Sequence, residues 1–137
     1  MRYIKIFKLF EVNTDVYYSK QSIIDDIMDI FIDCECKVFV LATQKRSAGY
    51  DGFFVRILNR SDDLNKIGLV SDELIESIER TIYMMYELGY KCQLEYTDFS
   101  YVGQPLDVSD IPLLKTLKIV QVSLYFNLEG FKGLYKK

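Results

Sequence analysis

Hydrophobic and polar positions along this chain follow two periods, one near 2 and one near 3.6, and they change over several times. Residues 2–12 mix β-branched and aromatic residues with lysines and predict a strand. Asn13-Thr14-Asp15 has turn chemistry. Ile23, Ile24, Ile27, Ile30 and Phe31 then fall on one helical stripe, with helix starts on offer between Ser19 and Ser22 and a stop expected near Asp33. Asp25, Asp26, Asp29 and Asp33 cover the opposite side. Residues 36–43 form a short apolar run that reads as a buried strand, residues 44–51 carry turn signals, and residues 52–60 form a second strand. This predicts a β-hairpin with a long basic tip holding Lys45 and Arg46.

Ser61 to Val70 reads as a polar loop. Ser71 is a good N-cap, and Asp72 and Glu73 suit the first turn of a helix. Leu74, Ile75, Ile78, Ile82 and Met85 continue it as an apolar stripe, and Gly89 supplies the left-handed residue that ends many helices. The helix is expected over 72–88. Residues 90–98 alternate strictly and predict a half-buried strand. Residues 99–114, with Gly103, Pro105 and Pro112, read as a loop. Residues 116–127 alternate again and predict a last strand, about 40 Å long at ~3.4 Å per residue, that overhangs or bends.

The order is β-α-β-β-α-β plus a long terminal strand, and its first six elements match the ferredoxin-like arrangement. The expected fold class is α+β, a mainly antiparallel sheet with two helices on one face. Both sides of the last strand carry large residues, so the other face should be covered by loops or by another subunit. A single domain over 1–128 and a C-terminal arm over 129–137 account for the chain. With 137 residues, half of them hydrophobic, one domain can bury a full core without disulfides or metals.

Composition narrows the chemistry. There is no histidine, which removes Ser-His and Cys-His nucleophile systems, the usual zinc sites and the commonest general base. The three cysteines are odd in number, and Cys34 and Cys36 sit one residue apart. That is no disulfide framework and suits a reducing compartment. No apolar run approaches the roughly 18 residues of a membrane span. Lys5 and Lys8 interrupt any signal-peptide core in the first residues. The net charge of −3 argues against a nucleic-acid partner.

The remaining motifs are weak. Gly52-Phe53-Phe54-Val55-Arg56-Ile57 partly resembles the base-stacking strand of an RNA-recognition motif. Asp51 stands where that motif has a basic residue, and its two aromatics would point to opposite faces. The helix aspartates could gather a hard cation, but they also fit a solvated face or a docking face for a basic partner. No phosphate loop, dinucleotide glycine pattern or nucleophile elbow occurs. No catalysis and no cofactor are expected.

Tyrosine is over-represented, with 11 residues beside 9 phenylalanines and no tryptophan. Tyrosine buries area at low entropic cost and is common in recognition surfaces. AT-rich codon usage would raise it equally. Tyr17, Tyr18, Tyr50, Tyr101, Tyr125 and Tyr135 fall in predicted loops, turns or ends. The tail from Leu128 to Lys137 alternates apolar and basic residues, and Phe131, Leu134 and Tyr135 would be wasted on a disordered end. The candidate interface is therefore Lys45, Arg46, Tyr50, Tyr101, Tyr125, Phe131, Leu134 and Tyr135.

The helix from Ser71 to Leu88, the strand Cys92–Tyr96, the loop with Leu106, Ile111 and Leu113, and the strand from Leu117 to Phe126 follow in that order. This pattern over 71–126 resembles the C-terminal half of tailed-phage neck and tail-terminator proteins, and the hairpin ahead of it suits them too. The resemblance implies a non-enzymatic ring component in a virion assembly, located in the host cytoplasm or in the virion, with protein partners and self-association. A small acidic inhibitor or immunity protein that blocks a basic toxin or nuclease is the competing expectation.

Overall fold

The computed structural model describes residues 15–43, 52–59 and 68–128. In chain order they form helix α1 (Asp15–Ile30), strands β1 (Cys36–Thr43) and β2 (Gly52–Asn59), and helix α2 (Asp72–Glu87). Strands β3 (Lys91–Asp98) and β4 (Gly103–Leu106), a 3-10 segment (Val108–Thr116) and strand β5 (Ile119–Asn127) complete them.

The α2 boundaries follow from local chemistry. Ser71 has an extended backbone, and its hydroxyl accepts from the Leu74 amide at 3.1 Å. That satisfies one of the donors a helix start leaves open. Asp72 and Glu73 then sit where the helix dipole favours negative charge. At the other end Gly89 has φ 96°, and the Tyr90 amide turns back to the Met85 carbonyl at 2.9 Å. Between these caps Leu74, Ile78, Ile82 and Met85 bury one stripe. Ile78 and Met85 have no exposed surface. Each such side chain contributes about 1.5–3 kcal/mol of transfer free energy.

The five strands form one sheet in the order β1-β2-β5-β3-β4, with every neighbouring pair antiparallel. The register lines up the core rung by rung. Val40, Val55, Leu124 and Leu94 face one another across four strands, and Ala42, Phe53, Phe126 and Cys92 form the next rung. Phe53 meets Tyr90 edge to face at 5.4 Å between ring centroids. Ile23, Ile27 and Phe31 from the α1 end and the α2 stripe join these residues in a single buried cluster. Both helices thus pack on the same face of the sheet, α1 over β1 and α2 over β3. The architecture is α+β.

The expected strands over 36–43, 52–60 and 90–98 and the helix over 72–88 are all present within a residue or so. Other expectations need correction. Helix α1 begins at Asp15, not at Ser19 to Ser22, so Tyr17 and Tyr18 lie in a helix and not in a turn. No glycine or proline interrupts residues 15–22, so this helix can run back a turn further. Its last turn tightens, with the Phe31 amide on Met28 and the Ile32 amide on Asp29, so the helix stops at Ile30 and not near Asp33.

The stretch 99–114 is not loop alone. It holds β4, which pairs along β3, and most of the 3-10 segment. Pro105 is tolerated because β4 is an edge strand. The coiling of Val108–Thr116 also shortens the last strand, which starts at Ile119. Its nine residues span about 31 Å, so the expected overhang disappears.

The strand order departs from the ferredoxin-like one. That order would seat the first predicted strand between 52–59 and 91–98. Here β5 fills that slot, pairing with β2 on one side and β3 on the other. Strands β2 and β3 are therefore parallel to each other, and α2 is their crossover. The predicted strand over 2–12, the hairpin tip and the arm over 129–137 lie outside the described residues.

Candidate interaction surface

Side chains alternate across a strand, so the register that builds the core also builds a second face. One rung of it is Leu41, Phe54, Tyr125 and Gln93, and the next is Phe39, Arg56, Ser123 and Glu95. A third holds Lys37, Leu58, Gln121 and Thr97. Both helices pack on the opposite side. Leu41 is 61% exposed and Phe39 45% exposed, on the edge strand β1.

These residues are organised. The Phe54 and Tyr125 rings lie 5.0 Å apart across the β2–β5 pair. The Arg56 guanidinium sits 5.6 Å from the Phe54 ring centroid, within cation–π range. Stacking fixes the long arginine side chain with its charge presented outward. Lys37 and Lys91 are exposed on the same face, and Glu95 is its acidic counterpart on β3. The surface is apolar and aromatic at its β1–β2–β5 end, with a positive balance.

The outward surface of the helices has opposite character. Asp25 and Asp29 on α1 and Glu73, Glu76, Glu79 and Glu87 on α2 are all exposed. Arg80 is the exposed base among them on α2. An open groove of about 360 Å³ runs between the helices, lined by Asp26, Asp29, Ile30, Arg80, Tyr83, Met84 and Glu87. Tyr83 hydrogen bonds to the Glu87 carboxylate, and that bond raises its phenol above the ordinary value. Met28, Tyr83 and Tyr86 add exposed apolar area to this side.

The thiols are poorly placed for chemistry. Cys36 and Cys92 face the core side of the sheet, and burial pushes both up to about 12. Cys36 is raised further by Cys34 beside it. The Cys34 sulfur lies 3.2 Å from the Ser77 hydroxyl, tying the α1–β1 connection to α2. A neutral thiol is a weak nucleophile. Among the described residues no group of three or more cysteines and carboxylates is placed to hold a metal ion.

Of the expected interface residues, Tyr125 lies on the open face against Phe54. Tyr101 is 75% exposed at the β3–β4 turn, with φ 62°. Asp98 shapes this turn by accepting from the Ser100 amide and hydroxyl, which holds its carboxyl below the usual range. Lys45, Arg46, Tyr50, Phe131, Leu134 and Tyr135 lie outside the described residues. The candidate interface left out Phe39, Leu41, Phe54 and Arg56, although Phe54 and Arg56 belong to the stretch that partly resembles a base-stacking strand. Their signal was present in the hairpin, where Lys37, Phe39 and Leu41 share one side of a strand read as buried on both.

Among the described residues no helix is long and apolar enough to cross a membrane. No protein-family model, curated protein or solved structure matches the chain.

Proposed function

We propose that this chain is a non-enzymatic structural subunit that works through protein–protein contacts. The observation that carries this reading is the sheet face away from the helices, where the exposed Phe39 and Leu41 adjoin the half-buried Phe54 and Tyr125 and the exposed, stacked Arg56. Exposed patches of this kind mark interaction sites, and aromatics with arginine are the residue types that anchor them. A ring component of the phage neck or tail-terminator type is the finer form of the proposal. Its support is the succession over 71–126 of helix, strand, a connection holding a short edge strand and a 3-10 segment, and a nine-residue strand.

The acidic helix side favours a second reading, an inhibitor or immunity protein for a basic target. Solution mass separates the two. A structural subunit self-associates as concentration rises, and an inhibitor stays monomeric or dimeric. Phe39→Ser with Leu41→Ser should weaken self-association while leaving stability within about 1 kcal/mol, because both side chains are already exposed. Native mass spectrometry and a melting curve check this. Association undiminished in a folded double variant would remove the patch from the interface.

A further inference from the structure

We infer that the partner of the open sheet face is a second copy of this chain, which seats its acidic helix surface there. The inference rests on the structural-subunit reading and names its contact. Charge complementarity carries it. Among the described residues, Lys37, Arg56 and Lys91 outnumber Glu95 on the sheet face. On the helix surface the exposed Asp29, Glu76, Glu79 and Glu87 outnumber Arg80, and the nearby Lys115 is already paired with Asp72. Each surface also offers exposed apolar groups, Phe39 and Leu41 on one and Met28, Tyr83 and Tyr86 on the other. The two therefore match in both respects, whereas two sheet faces or two helix surfaces would bring like charges together. Like charges across an interface penalise the wrong pairing, and opposite charges steer the right one.

Geometry sets the kind of assembly. The two surfaces lie on opposite sides of the sheet, because among the described residues both α1 and α2 pack on one face and no helix packs on the other. A contact between them cannot be self-complementary. It is head to tail, and a head-to-tail contact closes as a ring or continues as a filament. Association should not stop at a dimer. The groove between α1 and α2, about 360 Å³, is wide enough to take side chains projecting from the edge strand β1 of the neighbour.

Two charge-reversed variants test this. The first carries Lys37→Glu and Arg56→Glu, and the second carries Glu79→Lys and Glu87→Lys. All four residues are exposed, so each variant should fold, which circular dichroism verifies. Sedimentation velocity at low ionic strength then reads the assembly. The wild type should associate beyond a dimer and weaken as salt is raised. Each variant alone should associate at least about tenfold more weakly, since like charges now face each other. An equimolar mixture of the two should recover association, because each sheet face again meets a helix surface of opposite charge. A wild type that associates while the second variant is unaffected would overturn the inference and leave the structural-subunit reading standing. Recovery failing in the mixture would overturn it likewise. A wild type that stays monomeric throughout would overturn both.

Discussion

Cys36 and Cys92 show how one side chain ties packing to pH. Burial among apolar residues disfavours the thiolate, and both thiols rise from 9.0 to about 12. The folded chain therefore holds protons that the unfolded chain releases above pH 9.0. Their contribution to stability is fully present below that value and is lost as pH climbs toward about 12. Tyrosines also ionise in this range, so a variant is needed to isolate the effect. Cys92→Val keeps an apolar group at the core side of β3 and removes the proton. Its melting temperature should fall less steeply than that of the wild type between about pH 8 and pH 10.5. Parallel curves for the two proteins would show that Cys92 is not the titrating group.

Among the elements, α2 separates the weight of a cap from that of a stripe. The Ser71 hydroxyl satisfies one amide at an exposed helix end, and water can replace it in part. Ser71→Ala should cost about 1 kcal/mol. Ile78 is fully buried against the sheet. Ile78→Asp would place a carboxylate there without a partner and should cost several kcal/mol, enough to unfold a chain of this size near physiological temperature. Urea denaturation of both variants checks the ranking, and an Ile78→Asp chain as stable as Ser71→Ala would mean that the stripe faces elsewhere. Both features were legible in the sequence because they are local, a cap and a period. Strand β4 was not. Four residues containing Pro105 carry no periodic signal, and only the neighbouring β3 makes them a strand. The α1 start was misplaced for a related reason, since several polar residues offer a cap and local chemistry does not choose between them.

On the scale of the molecule, strand order was the least legible feature, because pairing partners far apart in sequence leave no local mark. The clean alternation of β5 marked it as a strand but not as the centre of the sheet. The open face was hidden for a different reason. Phe39 and Leu41 are hydrophobic, and a hydrophobic side on each face of a strand reads as burial until the helices are seen to lie on one side only. Topology in turn predicts a gradient of backbone protection. β5 has hydrogen-bonded neighbours along both edges, β2 and β3 flank it, and β1 and β4 form the outer edges. Amide hydrogen exchange in the isolated monomer should be slowest in β5, faster in β1 and fastest in β4, which has only four residues. Under conditions where the chain associates, a head-to-tail contact through side chains on the sheet face should leave this ranking intact. If the β1 amides became as slow as those of β5 on association, a strand would have been added along the β1 edge. The sheet would then extend through its backbone, and neither the open-face patch nor its stacked arginine would be the principal contact.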